Sequence, residues 1–151
     1  MDIKSKCSYP ASALSNLSPH QFTLDGVVCN SMEGFLQALK FKDLNMQIEI
    51  CKLVGMNAKS RGAKKQWKKT QTLYWQGISY KRDSKEYQEL LDRAYEQLSK
   101  NASFRRALLA TNNATLTHSV GKIKQSDTVL TKKEFCSRLT SLRNQIQQES
   151  R

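Results

Sequence analysis

Glu33, Gln37 and Lys40 stand four and three residues apart, so on a helix they fall along one face. Met32, Phe35, Leu36 and Leu39 occupy the i, i+3, i+4, i+7 positions of the other face. The spacing therefore predicts a helix with one apolar side and one stripe of carboxylate, amide and amine. A carboxylate near a helix N-terminus is held as an anion, which suits a group that faces a developing positive charge. The same residue has a structural reading. Asn30-x-x-Glu33 has the spacing of a capping box, as do Asp83-x-x-Glu86 and Thr131-x-x-Glu134. Spacing alone leaves both readings open.

Two further constellations can do chemistry. Trp67 sits inside Lys64-Lys65-Gln66-Trp67-Lys68-Lys69. A ring interleaved with phosphate-seeking charges can stack on a nucleobase while the cations follow its backbone; the alternative is a core anchor with its lysines in water. His118-Ser119-Val120-Gly121-Lys122 forms a compact polar loop in which backbone N–H groups and Lys122 can cradle a phosphate. His118 is equally read as a hydrogen-bonded structural histidine. The loop lacks the longer Gly-x4-Gly-Lys-Ser/Thr spacing of a Walker A sequence. No Ser/His/Asp, Cys/His or dinucleotide-binding signature is present. Cys7, Cys29, Cys51 and Cys136 form no C-x-x-C pair and lie at no zinc-ligand spacing from His20 or His118. Reduced thiols, no metal and no cofactor are expected.

Charge narrows the partners. The 151 residues carry a formal net charge of +12, and ten basic residues with one acid between Lys52 and Lys85 supply +9 of it. Lys59, Arg61, Lys64, Lys65, Lys68 and Lys69 are the expected nucleic-acid contacts, because a concentrated positive field gathers polyanions; the competing reading is a solvated lysine-rich face. The segment lacks the apolar helical face that a membrane surface would need, no stretch is long and apolar enough to span a bilayer, and the first ten residues resemble neither a secretory nor a transit signal. A cytoplasmic protein is expected, in the host cytoplasm if the source is viral.

The elements that must position these groups are read from periodicity and caps. Phe22–Cys29 reads as a hairpin turning at Asp25-Gly26, and Met46–Val54 as a helix stopped by Gly55. A mixed helix and loop segment follows, running to Trp75. Asp83-x-x-Glu86 and Thr131-x-x-Glu134 are expected to start long amphipathic helices, with Asn101 capping a helix between them. Ala114–Val120 reads as a strand or extended loop. With no repeat and no linker, 1–151 is expected to be one domain with its core at about 9–146. A chain this long buries roughly 70% of its unfolded surface. The fold class is α+β, mostly helical with a small β-hairpin or sheet.

These residues resemble the NADAR superfamily of YbiA-like proteins. Leu14-Ser15-Asn16-Leu17 and Phe22-Thr23-Leu24-Asp25-Gly26 carry part of the likeness. Ser31-Met32-Glu33-Gly34-Phe35-Leu36-Gln37-Ala38-Leu39-Lys40-Phe41 is similar to the family's Ser-x-Glu-x-x-x-Gln-Ala-x-Lys-Phe helix, and Phe104–Thr111 to its Leu-Leu-x-Thr block. Trp67 aligns with a family tryptophan. The likeness runs from about Tyr9 to Ile146. The chain departs from the family where an Asp-x-x-Trp-Gly motif commonly follows, reading Thr117–Lys122 there instead, and Tyr74–Arg82 has the look of an insertion.

The resemblance implies a single-domain YbiA-like fold and hydrolysis of an N-glycosidic bond. On that basis Glu33 steadies an oxocarbenium-like ribose and His118 is a proton donor or polar contact. Asn16, Gln37, Lys40, Trp67, Ser119, Gly121 and Lys122 bind substrate. Family activities act on ADP-ribose attached to guanine in DNA and on ribosylamine intermediates of riboflavin synthesis. The basic segment favours the DNA-linked substrate, with small ADP-ribose derivatives as further ligands. A non-catalytic module for ADP-ribose or other NAD derivatives, and a plain nucleic-acid-binding protein, are the alternatives.

Overall fold

The computed structural model describes residues 1–62 and 66–149, so the expected contacts Lys64 and Lys65 lie outside the described residues. The first hairpin forms as expected. β1 (Phe22–Leu24) pairs antiparallel with β2 (Val27–Cys29), Leu24 facing Val27. Asp25 and Gly26 both take positive φ, 50° and 78°, the backbone of a two-residue turn that matches strand twist. The chain then enters α1 (Met32–Ala38). Its N-cap is Ser31, whose Oγ accepts the Gly34 N–H at 3.0 Å. The Asn30–Glu33 box is not formed, because the Asn30 side chain is taken elsewhere: it donates to the Lys52 carbonyl and accepts from Gln21.

The segment after α1 differs from the expected single helix stopped at Gly55. α2 (Leu44–Cys51) starts earlier, capped by Asp43 on the Met46 N–H at 2.8 Å, and ends earlier. The Ser31 hydroxyl donates to the Leu53 carbonyl at 2.9 Å, drawing the chain away after the helix. Gly55, with φ 56°, opens α3 (Gly55–Arg61) rather than closing α2. α4 (Gln66–Thr70) leads into a second hairpin, which takes in most of the Tyr74–Arg82 stretch. There β3 (Thr72–Trp75) pairs with β4 (Ile78–Lys81), and Gln76 and Gly77 repeat the positive-φ turn at 47° and 85°.

Three helices complete the chain. α5 (Lys85–Leu98) is capped by Ser84 on the Tyr87 N–H, one residue later than the Asp83–Glu86 spacing implies. α6 (Ala102–Ala110) is capped by Asn101 on the Phe104 N–H, as expected. α7 (Lys132–Glu149) carries a reciprocal box: Thr131 N–H donates to Glu134 Oε1 at 2.8 Å and Glu134 N–H to Thr131 Oγ1 at 3.1 Å. Ala114–Val120 is an extended loop touching the N-terminal segment through a parallel bridge between Asp2 and Thr117. The class is α+β and mostly helical, with two separate two-stranded sheets among the described residues.

Phe35 carries the apolar side of α1 into the middle of the core. Its ring stands edge-on to Phe22 at 6.1 Å and to Trp75 at 4.9 Å, so α1 is fixed between the two hairpins. Met32, Leu36 and Leu39 are buried beside it, which leaves the opposite stripe as the only part of α1 free for polar work. Arg82, at the end of β4, reaches Glu134 at 2.6 Å inside the protein and ties the second hairpin to α7. No described helix is long and apolar enough to cross a membrane.

Candidate functional site

Glu33 is half-buried and its carboxylate takes no part in capping α1, which Ser31 performs. Instead Glu33 Oε1 accepts the Gln37 side-chain amide at 2.8 Å, one turn along. The backbone N–H of Glu33 donates to the Asn16 carbonyl at 2.9 Å, and the Asn16 side-chain oxygen accepts the Tyr95 hydroxyl at 2.8 Å. The carboxylate is thus held from its own helix, and the Glu33 backbone from the loop before β1. The structural reading of Glu33 as a capping residue falls.

Gln37 is 7% exposed, and its side-chain oxygen is buried without a hydrogen-bond partner among the described residues. Gly62 packs so close to it that any Cβ there would overlap the Gln37 amide. Lys40 Nζ donates to the Gly62 carbonyl at 2.6 Å. The end of α3 is therefore folded onto the polar stripe of α1. Burial lowers the Lys40 amine to a pKa of about 8; Glu33 opposes the shift, and Lys68 and Lys122 add to it. Glu33, Lys68 and Lys122 thus each act on the Lys40 amine through their charge.

The rim comes from α4 and the loop before α7. Gln71 donates its side-chain amide to the Ser126 carbonyl at 3.1 Å, fastening the end of α4 to that loop. Lys68 is half-buried, while Lys59, Arg61 and Lys69 are exposed. Arg82 is not part of the surface charge, since it is buried on Glu134, and Lys52 is engaged by Glu49 at 3.1 Å. The free positive field is narrower than the count of basic residues implies.

The 118–122 loop departs from the phosphate-cradle reading. His118 Nδ1 lies 2.7 Å from the Ile3 carbonyl oxygen and so carries the proton, while its ring stands edge-on to Phe135 at 5.1 Å. Ser119 spends its N–H and its hydroxyl on the Asp2 carboxylate at 2.8 and 2.6 Å. Gly121 N–H donates to the His118 carbonyl at 2.9 Å. Those donors are consumed inside the protein, while Lys122 is exposed and acts on Lys40 through its charge. Trp67 is 4% exposed and belongs to the apolar core, so its ring offers no open face for stacking.

The structure thus links Asn16, Glu33 and Gln37 by hydrogen bonds and seats Lys40 on Gly62, against which Gln37 packs, while Lys68 and Lys122 act on Lys40 through their charge and His118, Ser119 and Gly121 have internal partners. Gly62, Tyr95 and Gln71 were missed by the sequence reading. Tyr95 lies on the apolar face of α5, where periodicity marks it as core, and only its hydroxyl reaches the site. A buried tyrosine with a polar tip calls for a partner, which is the one signal that it carried.

What this arrangement can do is hold an anion-bearing ligand beside a fixed carboxylate. Comparison with known proteins places the chain in context. The solved structure of the Escherichia coli protein YbiA has the same fold, with a TM-score of 0.65 at 20% identity, covering 99% of this chain and 86% of that one. An uncharacterized 17.1 kDa protein from the Gp30-rIII intergenic region of Enterobacteria phage T4 is 35% identical, over 97% of this chain and 98% of its own length. The family described as bacteriophage protein GP30.3 matches residues 8–144. The chain is a member of the bacteriophage GP30.3 family, built on the YbiA-like fold.

Proposed function

We propose that the protein is an N-glycosidase that removes ADP-ribose from guanine in DNA. The observation that carries this reading is the Glu33 carboxylate, released from helix capping and held by Gln37 beside Lys40, Lys68 and Lys122. In the reaction the bond between the anomeric carbon and the base nitrogen breaks with its electron pair leaving on the base. Water forms the new bond to that carbon, and a proton reaches the departing guanine. Glu33 faces the positive charge that grows on the ribose and orients the water. Lys40 and Lys122 bind the two phosphates of ADP-ribose, and the amide nitrogen of Asn16 meets a ribose hydroxyl. The proton shed by the attacking water is the one the departing base takes up, and His118, its Nδ1–H fixed on the Ile3 carbonyl, offers Nε2 as an accepting polar contact.

The exposed cations Lys59, Arg61 and Lys69 follow the nucleic-acid backbone. Release of ADP-ribose from an ADP-ribosylated oligonucleotide, followed by mass spectrometry beside ADP-ribosylated protein and ribosylaminopyrimidines, tests the reading. Turnover confined to the oligonucleotide and falling steeply with salt supports it. Cleavage of the ribosylaminopyrimidine alone transfers the activity to the small riboflavin-pathway substrate.

A second reading, a non-catalytic module for ADP-ribose, is favoured by one observation. Where the NADAR Asp-x-x-Trp-Gly motif is commonly found, this chain has a loop whose Ser119 and Gly121 donors are internally satisfied. Tight binding of ADP-ribosylated DNA with no release of ADP-ribose selects it.

A further inference from the structure

The loop between the Thr117 bridge and α7 exposes two apolar side chains where burial is the rule. Val120 is 65% exposed and Ile123 78%. Single exposed apolar residues need no explanation, but these two lie within four residues, alternating with the exposed Lys122 and Lys124. The His118 carbonyl accepts the Gly121 N–H at 2.9 Å, so Val120 stands at the tip of a tight turn. Two apolar side chains exposed so close together on a charged loop offer a contact surface.

The loop is also stiff. Asp2 grips Ser119 through two hydrogen bonds, Lys132 N–H donates to the Lys122 carbonyl at 2.9 Å, and Gln71 holds Ser126 at 3.1 Å. Its apolar tips are therefore presented on a pinned support, not on a loose strand. Gln71, just after α4, holds Ser126 of the same loop, so this support is fastened to the element that carries Lys68 and Lys69.

From this placement we infer that the Ser119–Lys124 loop is a wedge for double-stranded DNA. Val120 and Ile123 enter between base pairs while Lys122 and Lys124 bind the flanking phosphates. A base inside a duplex cannot bring its sugar-linked atom to a recessed carboxylate, and unstacking by an apolar side chain is a general way to extrude it. The exposed Lys122 and Lys124, with the lysines of α4, favour a polyanion over a neutral partner. The inference rests on the proposed DNA substrate and adds how that substrate is opened.

The test compares wild type with Val120→Ser/Ile123→Ser, whose exposed positions leave the core untouched. The first measurement is fluorescence of 2-aminopurine placed in an unmodified duplex, which reports unstacking without any catalysis. Wild type raises the signal and the double variant does not. The second is ADP-ribose release from a modified duplex and from the free ADP-ribosylated guanosine. The duplex rate falls by at least about tenfold in the variant while the nucleoside rate holds, since only the duplex must be opened. A wild type that leaves 2-aminopurine silent, or a variant that loses both rates equally or neither, overturns the wedge. So does a loop that governs binding to phosphatidylserine vesicles and not to duplex. If wild type releases no ADP-ribose from anything, the glycosidase reading fails, and the fluorescence still decides the wedge.

Discussion

Gln37 donates its side-chain amide to Glu33 Oε1 at 2.8 Å, while its own oxygen is buried against Gly62 with no partner among the described residues. The amide is oriented by the fit of α3 onto α1, so the carboxylate inherits its position from a packing contact. Gln37→Met keeps the volume and removes the donor. It is expected to lower kcat by about 10–100-fold with KM nearly unchanged, because misplacement of a reacting group is felt in the transition state. Steady-state kinetics on the ADP-ribosylated oligonucleotide checks this; a rise in KM at constant kcat would make Gln37 a binding residue instead.

Lys40 gives a pH signature. Burial brings its pKa to about 8, so its charge is lost as pH rises through that value in the free protein. Affinity for ADP-ribose is expected to weaken as pH rises above about 8, because a phosphate-bound Lys40 must hold its proton. Calorimetric titrations from pH 6.5 to 9.5 measure it, and Lys40→Met should bind more weakly with a flat profile. The sign for folding is opposite: the unfolded chain binds the extra proton between about 8 and 10.4, so this residue's stability cost shrinks across that window.

The buried Arg82–Glu134 pair is the clearest stability test. Arg82 donates to both Glu134 oxygens at 3.1 and 2.6 Å, and Gln88 adds a third bond at 2.6 Å. Arg82→Met leaves a buried carboxylate without its cation and is expected to cost about 3–5 kcal/mol in urea unfolding. Arg82→Met with Glu134→Met together should recover most of it. Burial pushes the Glu134 carboxyl up, but the bonds from Arg82, the Thr131 N–H and Gln88 outweigh it and hold the carboxyl below its usual value. Its contribution is complete above the ordinary carboxylate range and fades as pH falls through the depressed value, so Glu134→Gln should flatten the acid limb of the stability curve.

The cysteines report on folding. Cys29 and Cys51 are fully buried, and contact with Cys51 together with burial pushes the Cys29 thiol far above its ordinary value. Iodoacetamide is expected to label the partly exposed Cys7 and Cys136 in the native protein, and Cys29 and Cys51 only at the rate of opening. Equal labelling of all four, followed by peptide mass spectrometry, would contradict the packing of β2 on α2.

Much of this was legible in the residues. The α1 stripe follows from spacing alone, and Thr131 with Glu134 or Asn101 with Phe104 N–H marked helix starts correctly. Caps failed where two neighbours compete: Asn30 and Ser31 both qualify, and the choice fell to Ser31 because Asn30 is drawn to the Lys52 carbonyl. The second hairpin was hidden in plain view, with aromatic and β-branched residues around Gln76-Gly77, because the lysine run beside it dominated the reading. The missing site partners are long-range. Lys40 meets Gly62 and Asn16 meets Tyr95 through packing that no local pattern encodes.

The central claim is that Glu33 carries the chemistry. Single-turnover release of ADP-ribose by Glu33→Gln, with binding measured on the same oligonucleotide, tests it most directly. The expected result is a rate lower by about 10²–10⁴-fold with affinity retained. A Glu33→Gln protein that releases ADP-ribose as fast as wild type would contradict it.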